Sequence, residues 1–149
     1  MSAQAFKVYN LAKKKLGQAL LNLSTGNFRV GLYTSASNAA TLTLGTLASL
    51  TSEVTEANGY SSSGKACATR VWTVGASAKS YKFDFDDIIF TATGGTIPSI
   101  KFAVIWASGA SAGARHLVAV ASLTSTQFTL SANNTLTLQI NSLGAFTMQ

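Results

Sequence analysis

Charge, cysteine, proline and histidine are all scarce in this sequence. Only 11% of its 149 residues are charged. So little charge suits a surface hidden in an assembly better than that of a lone soluble monomer. Cys67 is the single cysteine, which excludes an intrachain disulfide. His116 is the single histidine, and a zinc site needs more His or Cys than that. Pro98 is the single proline and forces few chain breaks. No apolar run approaches the roughly 18 residues of a spanning helix. Lysines occupy the middle of the first predicted helix, where the apolar stretch of a secretory signal would lie. Neither a leader nor a membrane partner is therefore expected. Residues 1–149 are expected to form one domain with a core of its own.

The charge that is present is unevenly placed. The net charge is +6. Up to residue 30 there are Lys7, Lys13, Lys14, Lys15 and Arg29 and no acid, while the rest carries six bases against five acids. A basic leading segment favours an acidic surface or phosphate, with an attraction that salt weakens.

Along the chain the hydrophobic period changes once. Phe6, Tyr9, Ala12, Leu16, Leu20 and Leu23 recur at helical steps, and Ser2 can cap. This predicts a basic amphipathic helix from Ala3 to Leu23, within residues 1–25, closed by a left-handed Gly26. Residues 26–149 then read as short strands. Phe28–Tyr33 alternates, and Ser35–Ser52 reads as a long loop with a strand around Thr41–Leu44. Asn58-Gly59 and Ser63-Gly64 mark turns. Further strands are expected at Ala66–Val74, Tyr81–Phe85, Ile88–Thr93, Ile100–Ala107, His116–Leu123, Thr126–Leu130 and Thr135–Ile140. A short one follows near Phe146 and Met148. Ser108–Ala114 is a small-residue loop. The predicted fold is mainly β: an N-terminal helix, then an antiparallel β-sandwich or jelly-roll-like domain of about eight strands.

Few residues suggest chemistry. Asp84, Asp86 and Asp87 could ligate calcium, but no Gly-spaced calcium loop accompanies them. They read as an outward strand face and a turn. His116 has no acid or nucleophile near it in sequence, and Cys67 has no activating motif. No cofactor or metal is expected, and no enzymatic activity. Trp72 and Trp106 lie in strands that read as buried, so core packing accounts for them better than sugar stacking does. Tyr60, in a polar turn, reads as an exposed contact. Lys13, Lys14 and Lys15 fan across about 200° of a helix. They form either a solvated face or a docking face for an acidic protein surface. Nucleic acid is disfavoured as a partner, because the aromatic platforms of a single-strand binder are missing. The candidate interaction residues are Lys7, Lys13, Lys14, Lys15, Arg29 and Tyr60.

The order of segments resembles a group of small tailed-bacteriophage virion proteins. The resemblance rests on Phe28-Arg29-Val30-Gly31-Leu32-Tyr33-Thr34, on Gly59-Tyr60, on Tyr81 through Ile97, and on Phe102-Ala103-Val104-Ile105-Trp106. Phe83–Ile97 is its most specific part. The resemblance implies a non-enzymatic virion component, assembled in the host bacterial cytoplasm. It implies a capsid decoration or cement protein on the major capsid protein lattice, acting as a homo-oligomer, a trimer by analogy. A tail, baseplate or fibre-associated component, whose partners would be tail proteins, is the alternative. A glycan-binding jelly roll is a third.

Overall fold

Strand Phe102–Ala107 is buried at every residue from Phe102 to Trp106. A strand apolar on both faces needs a neighbour along each edge and a layer over each face. A computed structural model, which describes residues 5–109 and 112–149, supplies both neighbours. In chain order its elements are β1 (Lys7–Val8), α1 (Asn10–Gly17), β2 (Phe28–Tyr33), β3 (Lys65–Ala66), β4 (Val71–Val74), β5 (Tyr81–Asp84), β6 (Ile88–Thr91), β7 (Ile97–Ile100), β8 (Phe102–Ala107), β9 (Leu117–Ser122), β10 (Phe128–Leu130), β11 (Thr135–Leu138) and β12 (Phe146–Met148).

All strand pairings are antiparallel, and the fold is mostly β. One sheet has the order β1-β9-β8-β2-β3 and a second the order β12-β5-β4; β10 pairs with β7 and β11 with β6. β8 runs beside β2 from Phe28↔Ala107 to Tyr33↔Phe102, and beside β9 on its other edge. The two larger sheets meet through aromatic rings: Phe28 of β2 stands edge-on to Phe83 of β5 at 5.1 Å.

Close packing over β2 depends on glycine. A methyl group at Gly31 would lie 2.6 Å from two ring carbons of Trp106, and one at Gly64 would lie 2.5 Å from the Val30 carbonyl oxygen. The indole of Trp106 thus occupies the space that two missing side chains leave.

The N-terminal helix is much shorter than its apolar spacing predicts. α1 has 8 residues. Lys7 and Val8 form a strand, with Lys7 opposite Val120 and Val8 opposite Ala119. Aromatic and β-branched side chains favour the strand here, and the free edge of β9 supplies the hydrogen bonds. Gly17 ends the helix. The Leu20 and Ala19 N–H groups return to the carbonyls of Lys15 and Leu16 at 2.9 and 3.1 Å, with Ala19 left-handed at φ 57°. Gly26 is not left-handed; it matters because its N–H bonds to the Asn22 carbonyl at 2.8 Å, too close for a side chain. The predicted cap Ser2 and helix start Ala3 lie outside the described residues, as does part of Ser108–Ala114.

Two strand boundaries also move. Thr41–Leu44 forms turns, and the long loop instead holds a 3₁₀ turn at Leu47–Ser49. The strand expected over Ala66–Val74 is broken at residues 67–70, where the chain leaves the first sheet for the second. Thr69 sits there at φ 51°, and its hydroxyl donates to Asp86 Oδ2 at 2.6 Å.

Candidate functional site

The lysines of the leading segment remain on the outside. Lys7 is exposed on β1; Lys13 and Lys14 are exposed on α1, and Lys15 is half-buried. Lys7 and Lys13 border different hollows. Lys7 lines a small depression with Phe102 and Val120, whereas Lys13 lines a larger cleft on the other side of β1.

Arg29 and Tyr60 both hold the fold together, and Tyr60 is buried where an exposed turn residue was expected. Arg29 is half-buried. Its guanidinium donates to the carbonyl of Ser63 through Nε and to that of Gly64 at 2.9 Å, so it pins the Ser63-Gly64 turn to β2. Tyr60 is only 3% exposed. Its hydroxyl donates to Glu53 Oε1 at 2.7 Å and accepts the Leu32 N–H at 2.9 Å. Burial, with the nearby Glu53 charge, raises the Tyr60 phenol far above its usual range. Burial also raises the Glu53 carboxyl; the Tyr60 hydrogen bond opposes this and Glu56 adds to it. Gly59 places Tyr60: with φ +90° it follows Asn58, itself left-handed, in a turn that aims the ring inward onto Phe90 at 5.9 Å. A Gly-Tyr pair inside polar sequence looks like an exposed tip. Only the glycine at Gly31, which leaves room for the hydroxyl, hints otherwise.

The three aspartates have structural partners. Asp84 pairs with Lys82 at 2.9 Å and caps the Phe85 N–H. Asp86 holds Thr69, and Asp87 accepts the Ile140 N–H at 2.8 Å. Among the described residues no group of three or more His, Cys, Asp or Glu side chains is placed to hold a metal ion. Burial pushes the Cys67 thiol up to about 12 despite Arg29 and Arg70, so it stays protonated near neutrality. His116 is half-buried on the bridge to Thr46, and its Nδ1 has no hydrogen-bond partner among the described residues. Trp106 is core. Trp72 is only half-buried and stacks on the exposed Tyr81 at 5.8 Å.

One concave feature was not foreseen. It is a cleft of about 820 Å³ between the N-terminal strand and the C-terminal residues. Phe6 and Val8 form one wall; Ile140, Leu143, Phe146 and Met148 form the other, with Lys13 at the rim. The apolar alternation at Leu143, Phe146 and Met148 was readable as a strand. That Phe6 and Val8 would face it was not, because they read as helix. Comparison of the chain with protein-family models, with curated proteins and with solved structures finds no match.

Proposed function

We propose that the chain is a non-enzymatic structural component of a tailed-bacteriophage virion: a capsid decoration or cement protein that binds the major capsid protein lattice and stabilises the head. The observation that carries this reading is the resemblance of Tyr81–Ile97 and Phe102–Trp106 to the family, most specific over Phe83–Ile97, in residues that form β5, β6 and most of β8. The proposed architecture is a two-layered β-sandwich of jelly-roll type. Its layers are the sheets of β8 and β5, in contact through Phe28 and Phe83. The carboxylates, the thiol and the buried tyrosines are all engaged in holding the fold, which supports a binding role over a reaction. Exposed lysines without an acid nearby in sequence support attraction to an acidic lattice.

The proposed homo-oligomer, a trimer by analogy, finds support in the β4–β5 hairpin. Val71, Val74 and Tyr81 are 43%, 50% and 46% exposed there, and β4 is an unpaired sheet edge among the described residues. Imaging of particles lacking this gene tests the function. Heads without surface knobs, on intact tails, are expected, together with hundreds of copies of the chain per wild-type particle by gel densitometry. Defective tails on intact heads, or scarce copies, would move the chain to the tail.

A further inference from the structure

We propose that the cleft between β1 and β12 takes an extended, carboxylate-bearing strand of a different protein, which adds to one of the two open strand edges bounding it. Among the described residues β1 is the last strand of its sheet, with β9 as its one strand neighbour, and β12 is the last strand of the other, beside β5. Among the described residues the two segments share one backbone hydrogen bond, from the Phe6 N–H to the Ala145 carbonyl at 3.2 Å, and β1 and β12 do not pair. Both line the cleft. An unpaired strand edge is a template for another strand, and alternate pockets beside it select side chains. Here Phe6, Val8, Ile140, Phe146 and Met148 supply apolar lining beside the polar Asn141 and Thr147, and Leu143 is 54% exposed.

Charge decides the occupant. Lys13 is the only charged side chain in the cleft wall, and it has no ion pair among the described residues. A second copy of this chain is a poor source of a carboxylate for it: its net charge is +6, and each of its five side-chain carboxylates already accepts a hydrogen bond within its own fold. The donors are Tyr60 for Glu53, Ser62 for Glu56, the Phe85 N–H for Asp84, Thr69 for Asp86 and the Ile140 N–H for Asp87. The leading segments of two copies would also repel through their lysines. A strand from another protein, apolar on one face and acidic at its end, meets both demands. This inference rests on the virion reading only for the source of that strand.

The probe is a capped hexapeptide of alternating valine and glutamate, titrated into the isotope-labelled full chain and compared with the valine–lysine hexapeptide. Amide shifts are expected in residues 6–8 and 143–148, with the acidic peptide binding about tenfold more tightly and losing affinity as salt rises. Lys13→Glu and Leu143→Asp each should lower that affinity about tenfold. Both side chains are exposed, so circular dichroism should show an unchanged fold. Equal affinity for the two peptides, shifts elsewhere, or no binding would overturn the proposal. So would self-association that Leu143→Asp abolishes, which would give the cleft to a second copy. Particles that still take up Lys13→Glu and Leu143→Asp chains would leave the virion role standing and remove the cleft from it.

Discussion

Ala19 holds a φ of 57°, in the left-handed position that closes α1. Its methyl group is in steric conflict with the backbone there, and glycine has no such conflict. Ala19→Gly should therefore stabilise the protein by about 0.5 kcal/mol, part of the relief being offset by a freer unfolded chain; urea denaturation measures it. Tyr60 makes the opposite case. Tyr60→Phe strips the partner from a half-buried carboxylate and from the Leu32 N–H, and should cost about 1–3 kcal/mol. Glu53 adds a pH dependence of known sign. Its carboxyl is raised in the fold from the ordinary value of 4.5, chiefly by burial. Stability is untouched while the group is protonated in both states. It falls as pH rises from 4.5 through the raised folded value, because ionisation is harder in the fold than in the unfolded chain. Glu53→Gln keeps an acceptor for Tyr60 and should remove that decline. Denaturation midpoints of wild type and variant from pH 4 to 7 should diverge upward for the variant; parallel curves would show that Glu53 is not strained by burial.

Between elements, glycine and close backbone approach decide more than periodicity does. Gly31 lies beneath the Trp106 indole, in a strand where a small residue looks incidental. Gly31→Ala should overpack the β2–β8 contact and cost about 1–3 kcal/mol, read as a fall in thermal midpoint with the near-ultraviolet signal of Trp106 altered. The central strands were legible because their pattern is strong: β2, β8, β9 and β11 fall where alternation or continuous apolar sequence puts them. Phe6 to Tyr9 were not, since an aromatic–Lys–Val–aromatic stretch fits a helical stripe and a strand equally. The unpaired edge of β9, which decides between them, comes from far along the chain. The break between β3 and β4 was hidden for the same reason. Nothing local in residues 67–70 announces that Asp86 will hold Thr69 left-handed. Of the candidate site, the exposure of Lys7, Lys13 and Lys14 was legible from sequence. The cleft was not, because its two walls are separated by most of the chain.

At the scale of the molecule, the apolar surface left uncovered is as informative as the core. Trp72 and Tyr81 stack at 5.8 Å on the same face of the hairpin as Val74, and that face runs inward to Phe83 and Phe146 in the core. The stripe that packs the second sheet thus continues past the body into solvent. Monomeric proteins rarely leave such continuity open, especially beside an unpaired strand edge. The proposed homo-oligomer would bury this end of the sheet and leave α1 and the cleft free for the lattice. Two surfaces would then do separate work, one apolar for copies and one basic for the partner. Val74→Lys places a charge at the centre of the first without touching the second. It should shift the isolated protein toward monomer in sedimentation velocity, while leaving peptide binding at the cleft unchanged. An unaltered sedimentation profile would mean that the hairpin is not where copies meet. A loss of cleft binding along with the oligomer would mean that the two surfaces are one.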